Sequence, residues 1–303
     1  IESWQIEWKW DGIRAQLIRR DEATLLWSRG DELISPAFPE LIFGGRSLPV
    51  GTVLDGEVLA WEDGRPLSFS MLQRRLNRKH VEPTLWPEVP VAFMAYDVLE
   101  LHGADVRDQP TQVRRAMLDR LFEDLSDEPH MRLSPLVRAE NWDQVLELRD
   151  SARQRGVEGL MLKRVDAPYR SGRVRGDWWK LKITPHTFDA VLVAAQPGHG
   201  KRAGLLTDYT FAVRDGDELV NIAKAYSGLT DDEIESLDRW IRRNTVQRHG
   251  PVRQVLPQRV FELAFDRIQP SKRHKSELAL RFPRIARQRP DKNPDEADTL
   301  ESL

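Results

Sequence analysis

One stretch restricts the fold of this chain more than any other: Val53-Leu54-Asp55-Gly56-Glu57-Val58-Leu59-Ala60-Trp61, an apolar run of strand length that carries two carboxylates. A carboxylate taken out of water is costly unless a cation, a hydrogen-bond donor or a metal answers it. A fold that buries this strand must therefore bring a partner or a ligand to Asp55 and Glu57. The alternative puts both in a turn facing water. A second run, Val91-Ala92-Phe93-Met94-Ala95-Tyr96-Asp97-Val98-Leu99, is the clearest buried strand and ends in a polar turn at His102-Gly103. Tyr96 within it suits either a core or the stacking of a base.

The positive charge has an obvious source in Glu7-Trp8-Lys9-Trp10-Asp11-Gly12-Ile13-Arg14. Trp4-Gln5-Ile6-Glu7-Trp8 alternates as a half-buried strand does, and Asp11-Gly12 is a turn signal, so Lys9 leaves a sheet just before a turn. Lysine is a poor nucleophile while protonated and needs nearby cations or desolvation to activate it. Lys9 is thus a candidate covalent nucleophile; a surface hairpin with Lys9, Asp11 and Arg14 in water is the competing reading. In Asp177-Trp178-Trp179-Lys180-Leu181-Lys182 the period of two puts Lys180 and Lys182 on one face. Two ammonium groups side by side repel unless an anion lies between them. That pattern reads as a phosphate site or as an edge strand guarded by lysines.

Between these stretches, Arg14–Arg20 and Thr24–Arg29 read as paired strands across Asp21-Glu22, and Phe38–Leu41 opens a short helix. Phe69–Leu76 has helical spacing with a basic face, and Arg114–Phe122 and Trp142–Arg155 are amphipathic helices. Val157–Arg164 is a strand with charged ends. After Lys182 the character changes: Thr184–Thr187 reads as a linker. Asp189–Ala195, Tyr209–Val213, Glu218–Ile222 and Val260–Phe265 read as strands, and Thr230 with Glu233 forms a capping box opening a helix. Short strands and one helix over about a hundred residues fit a small β-barrel of the oligonucleotide-binding (OB) kind.

At 303 residues the chain suggests about two domains, placed here at 1–184 and 185–303. The absence of cysteine excludes disulfides and thiolate metal sites. A net charge of -2 argues against a protein coated in positive charge, but a local basic groove for nucleic acid needs only a few residues. No apolar run is long enough to span a bilayer and no signal-peptide pattern is present, so a cytoplasmic protein is expected. The chain opens almost directly on the strand leading to Lys9, which suggests a fragment of a longer protein.

Taken together, Lys9-Trp10-Asp11-Gly12-Ile13-Arg14, Ser28-Arg29-Gly30, Asp55-Gly56-Glu57, Glu158-Gly159-Leu160-Met161-Leu162-Lys163 and Trp178-Trp179-Lys180-Leu181-Lys182 resemble, in order and type, the motifs of ATP-dependent DNA ligases of the covalent nucleotidyltransferase superfamily. Arg281-Phe282-Pro283-Arg284 with Asp291-Lys292 resembles their C-terminal motif, and Ala95–Leu99 their adenine-stacking segment, with Tyr96 where Phe is usual. The match is to bacterial ligases that carry an extra N-terminal DNA-binding domain. The resemblance implies an α+β fold: an adenylation domain of antiparallel sheets with helices, then an OB-fold domain. It implies an enzyme that seals nicks in double-stranded DNA through lysyl-AMP, as a monomer, using ATP and magnesium, with manganese as a substitute.

By the same resemblance Lys9 is the nucleophile, Glu7 lies beside the adenine, and Tyr96 stacks on it. Arg14 and Glu57 approach the ribose, Lys180 and Lys182 hold the α-phosphate, and Lys163 and Arg175 are further nucleotide-site candidates. Glu158 with Glu57 holds the metal, and Arg29 meets the nick phosphate. Arg281, Arg284 and Lys292 orient the pyrophosphate, with Asp291 directing Lys292. An RNA ligase or capping guanylyltransferase shares most of these motifs, and a non-catalytic nucleic-acid-binding module is the rival from another class.

Overall fold

The computed structural model describes residues 1–303 except Asn77, Lys79, His80, Ser126 and Arg173. Its chain falls into two compact units, Ile1–Ile183 and Thr184–Leu303. Among the described residues no helix is long and apolar enough to cross a membrane.

The first unit holds β1 (Trp4–Trp8), β2 (Ile13–Arg19), β3 (Thr24–Ser28), β4 (Thr52–Glu62), β5 (Arg65–Pro66), β6 (Val91–Leu101), β7 (Ala104–Asp105), β8 (Met131–Leu133), β9 (Gly159–Arg164) and β10 (Trp178–Lys182). They form two sheets. The larger runs β3-β2-β4-β6-β7, antiparallel, with β8 added parallel to β6. The smaller runs β1-β9-β10, also antiparallel.

Alternation along β2, β4 and β6 sends Ala15, Leu17, Leu54, Val58, Phe93 and Ala95 into one core. The same period turns Arg14, Asp55 and Glu57 to the opposite face. Gly56 between the two carboxylates is a packing requirement: a Cβ there would lie 2.5 Å from the Phe93 ring and 2.7 Å from the Met94 carbonyl oxygen. Asp55 and Glu57 therefore belong to the middle of a buried strand, and the turn alternative fails. Gly12 is needed for closeness too, since its Cβ would meet the Val58 carbonyl oxygen at 2.2 Å. This pins the Lys9–Arg14 loop against β4.

Two helical expectations change in instructive ways. The helix expected over Phe69–Leu76 covers only Phe69–Gln73, and of the two arginines that follow it Arg74 is exposed while Arg75 is not. Arg75 is wholly buried, donating to both Glu40 carboxylate oxygens at 2.9 and 2.6 Å and to the Val89 carbonyl oxygen at 2.6 Å. The helix Thr111–Glu123 puts Arg114 on the same stripe as Leu118 and Leu121, four and seven residues on. Arg114 is buried there because Asp97 of β6 receives its guanidinium at 2.8 and 3.0 Å. A third helix, Trp142–Ser151, stops short of Arg155 and is capped by the Asn141 side chain.

In the second unit only Thr184 and Pro185 of the expected linker precede β11 (His186–Pro197). Then come β12 (Leu206–Asp215), β13 (Glu218–Ala225), the helix Asp231–Arg243, β14 (Thr245–His249), β15 (Val252–Val255), β16 (Val260–Phe265), β17 (Arg267–Pro270), β18 (Leu278–Arg281) and β19 (Arg284–Gln288). The long β11 pairs with β12 on one side; on the other its first half takes β16 and its second half β15. Such split pairing curls a sheet around its own core, here Phe188, Leu192, Phe211, Phe261 and Leu263, closed by Leu237 and Ile241 of the helix. The capping box forms as expected, Thr230 Oγ1 accepting from the Glu233 amide and Glu233 Oε2 from the Thr230 amide.

The Arg114–Asp97 pair generates a stability prediction. Arg114→Met leaves a buried carboxylate without its counter-charge and should lower unfolding stability by about 3 kcal/mol. Adding Asp97→Leu should recover part of that loss, because an apolar pair costs less than a lone charge. Denaturant titration of the three proteins checks both effects; a double variant no more stable than the single one contradicts the account.

Candidate active site

The smaller sheet sorts its residues by the period of two. Trp4, Ile6, Trp8, Leu160, Leu162 and Leu181 face one side, where they pack with Val145. The other side carries Gln5, Glu7, Met161, Lys163, Trp178, Lys180 and Lys182. Lys9 follows β1 directly and stays tied to β9: its amide donates to the Gly159 carbonyl oxygen and its carbonyl oxygen accepts from the Glu158 amide, both at 2.8 Å. The Lys9 Nζ forms an ion pair with Glu158 Oε2, and Lys182 Nζ reaches the same oxygen at 3.5 Å. Gly159 makes this convergence possible. Its φ is +134°, and a Cβ would lie 2.2 Å from the Leu181 carbonyl oxygen.

Cations crowd this end of the sheet. Lys180 is held below the ordinary lysine range, first by burial and then by the charges of Lys9, Arg29, Lys182 and Arg14. Such a gathering of like charge is unfavourable until an anion enters it. β10 is indeed an edge strand, so the edge-guarding reading of its lysines holds geometrically, yet the repulsion at Lys180 favours the phosphate reading.

On the facing strands Arg14 is clasped. Its Nε and Nη2 donate to the two oxygens of Asp55 at 3.1 and 2.7 Å, and Nη2 also donates to the Tyr169 hydroxyl at 2.9 Å. Asp55, 1% exposed, further accepts from the hydroxyls of Tyr169 (2.8 Å) and Tyr96 (3.3 Å). The buried carboxylate flagged by the sequence is thereby answered three times over. Around Arg14 opens a polar cleft of about 400 Å³ lined by Trp27, Arg29, Asp55, Arg107 and Tyr169.

Glu57 differs. Beside Arg14 in the strand register, it has neither a hydrogen bond nor an ion pair among the described residues. Burial pushes its carboxyl up to about 8; Asp55 and Glu158 add to the effect while Lys9 and Arg14 oppose it. A carboxylate so placed is short of positive charge, which suits a divalent cation with oxygen ligands. Among the described residues no cluster of three or more His, Cys, Asp or Glu is set to hold an ion. A metal here would take Glu57 and Glu158 and complete its shell with water or phosphate.

Lys163 is not the solvated strand-end lysine that its position suggests. It is 1% exposed, paired with Glu7 Oε1 at 2.7 Å, and donates to the Tyr96 carbonyl oxygen at 2.9 Å. Its Nζ lies 4.8 Å from the centre of the Tyr96 ring and 4.6 Å from that of Trp178. Lys9, Glu7, Arg14, Glu57, Tyr96, Glu158, Lys163, Lys180 and Lys182 are thus joined by contacts or close electrostatic coupling, with Arg29 exposed at the margin. Arg175 is exposed and joins none of these contacts.

Arg281, Arg284 and Lys292 belong to the second unit. Arg281 lies over the Phe282 ring, Arg284 pairs with Asp266 at 2.9 Å, and Lys292 pairs with the buried Asp189 at 2.6 Å. Asp291 does not direct Lys292 as expected. It takes Arg289 at 2.8 Å, leaving Lys292 to Asp189. Sequence reading also missed Gln5 and Tyr169, which lie outside the motif cores and reach the site only through the strand register or a long loop, and it gave no role to Trp178, the first residue of the Trp178–Lys182 motif.

Comparison with known proteins identifies the family and the fold. A family model described as the ATP dependent DNA ligase domain matches residues 2–182, and one described as the ATP dependent DNA ligase C terminal region matches residues 202–292. A probable DNA ligase of Koribacter versatilis is 45% identical over 98% of this chain and 55% of its own length. A DNA ligase of Archaeoglobus fulgidus is 32% identical over 98% of this chain and 54% of its own. The chain spans about half the length of these relatives. Among solved structures, a Lig E DNA ligase superposes with a TM-score of 0.63 at 20% identity, covering 95% of this chain and 93% of that one. The expected α+β architecture, an adenylation fold followed by an OB-like barrel, is borne out. With the first family model alone covering more than half of its residues, this chain belongs to the ATP-dependent DNA ligases.

Proposed function

We propose that this chain is the catalytic core of an enzyme that seals nicks in duplex DNA with ATP, and that Lys9 carries the AMP. The observation that carries the reading is the convergence of Lys9, Lys180 and Lys182 with Arg14 and Arg29, whose like charges, after burial, hold Lys180 below the ordinary lysine range although Glu158 pairs with Lys9 and Lys182. A nucleoside triphosphate answers that excess of positive charge, and the preorganised cations stabilise charge that develops as the α-phosphate reacts.

The Lys9 Nζ lone pair attacks the α-phosphorus, the bond from phosphorus to the bridging β-oxygen breaks, and pyrophosphate leaves with its electrons. Glu158, already bonded to the Lys9 Nζ, is placed to take the proton the amine sheds. The AMP then passes from Lys9 to the 5′-phosphate of the nick. Attack on that phosphate by the 3′-hydroxyl releases AMP and closes the strand. Magnesium held by Glu57 and Glu158 would neutralise phosphate charge. Asp55 and Tyr169 hold the Arg14 fork for the ribose, and Tyr96 offers a face to the adenine. Arg29 is suited to the nick phosphate. Arg281, Arg284 and Lys292 serve pyrophosphate departure; Arg284 and Lys292 must first exchange Asp266 and Asp189 for phosphate oxygens.

Intact-mass analysis after incubation with ATP and magnesium tests the reading. One AMP adduct per chain is expected, lost in Lys9→Ala, while that variant should still close a nick that already carries 5′-AMP. An adduct that persists in Lys9→Ala would falsify the assignment. Glu57 adds a pH dependence. Its folded value of about 8 exceeds the ordinary 4.5, so the folded state holds a proton that the unfolded state has lost. Stability should therefore fall as pH rises between those values. Glu57→Gln should flatten that fall, and magnesium should oppose it by favouring the ionised form; melting curves from pH 5 to pH 8 read both.

A further inference from the structure

Asp189, near the start of β11, is a buried carboxylate that answers two cations at once. Its backbone is fixed first: the amide donates to Asp298 Oδ2 at 2.7 Å, and the carbonyl oxygen accepts from the Asp298 amide at 2.9 Å. Its side chain then takes two donors. Lys292 Nζ donates to Oδ2 at 2.6 Å, and Arg289 Nη1 donates to Oδ1 and Oδ2 at 3.2 and 3.0 Å. The rest of that guanidinium is engaged as well, Nε and Nη2 donating to the two oxygens of Asp291 at 3.1 and 2.8 Å. Asp291, Arg289, Asp189 and Lys292 therefore alternate in charge along one line of contacts.

The two cations are not held alike. Arg289 commits three nitrogens to two carboxylates, and its amide donates to the Val260 carbonyl oxygen at 2.8 Å. The Lys292 side chain is 31% exposed, and Asp189 is its one ion-pair partner among the described residues. An ammonium group on a flexible stem leaves such a site more readily than a forked guanidinium does. A buried carboxylate stripped of all counter-charge is costly. Asp189 is not stripped when Lys292 departs, because Arg289 stays on both of its oxygens. We propose that Asp189 is a positioning residue for the reaction with ATP: it holds Lys292 until phosphate oxygens replace it, and Arg289 remains behind as the counter-charge that makes the release possible. This rests on the reading given above, in which Lys292 serves pyrophosphate departure, and deepens it. Carboxylate and phosphate compete for one ammonium group, and ATP binds with an apparent affinity lowered by the fraction of chains in which the carboxylate still has it.

The test follows lysyl-AMP formation by intact mass over a series of ATP concentrations, with magnesium, and closure of a nick that already carries 5′-AMP. Asp189→Asn keeps the shape and an oxygen for Arg289 but gives up the charge that holds Lys292. It should lower the ATP concentration for half-maximal rate by about tenfold, the scale of one charged hydrogen bond, and leave nick closure unchanged, since no pyrophosphate departs there. Lys292→Ala should slow the reaction with ATP, and Asp189→Asn added to it should bring no gain. An Asp189→Asn protein that is slower in both reactions makes Asp189 merely structural and overturns the inference. An unchanged ATP dependence overturns it too, as does a gain that persists undiminished without Lys292. If Asp189→Asn does not fold, Arg289→Met tests the opposite sign: Lys292 is then the sole counter-charge of Asp189, and the ATP concentration needed should rise; no rise overturns the inference. Lys292→Ala with a wild-type rate defeats the reading of Lys292 itself, an outcome separate from the behaviour of Asp189.

Discussion

Electrostatic repulsion among cations that the backbone holds together is the constraint on which the site depends. Hydrogen bonds of the small sheet decide where Lys9, Lys180 and Lys182 sit, and those bonds do not relax when the charges repel. Glu158 relieves part of the repulsion by pairing with Lys9 and Lys182 together. Gly159 is the geometric condition for this arrangement, since only a residue without a side chain lets β9 and β10 close at that point. The free energy that assembles these charges comes from the apolar side of the same sheet, where tryptophans and leucines are removed from water.

The larger sheet solves a different problem with the same means. A strand that must bury Asp55 receives three donors, all from side chains, and each comes from a separate part of the sequence: Arg14 on β2, Tyr96 on β6 and Tyr169 from the loop before β10. Burial of a carboxylate here sets the relative position of three segments, because a misplaced donor would leave the charge unanswered. Gly56 adds a steric requirement of similar sharpness at the next residue.

Much of this was legible in the sequence because it is local. The period of two exposes the common face of Lys180 and Lys182, the apolar run of β4 betrays its carboxylates, and Thr230 with Glu233 announces a helix start. What the sequence hid is pairing across distance. Nothing local says that Arg75 and Arg114 leave solvent, because a guanidinium reads as surface until Glu40 or Asp97 is brought to it. Lys163 was hidden for the same reason. Asp291 misled through proximity: adjacent to Lys292 in sequence, it turns to Arg289, and Asp189, more than a hundred residues away, takes the lysine.

Tyr96 is tethered at both ends, its carbonyl oxygen by Lys163 and its hydroxyl by Asp55. Where phenylalanine stands in that position the ring has only the first tether. The Tyr96 ring and the Arg14 fork are therefore one mechanical piece in this protein, joined through Asp55 and a single phenol. In the proposed reading, with the ring under a base and the fork over a sugar, the ordering of one half would not be a separate entropic cost from the ordering of the other. Base and sugar contacts would then act as a cooperative unit, and the affinity of the whole nucleoside would exceed what its two fragments contribute apart.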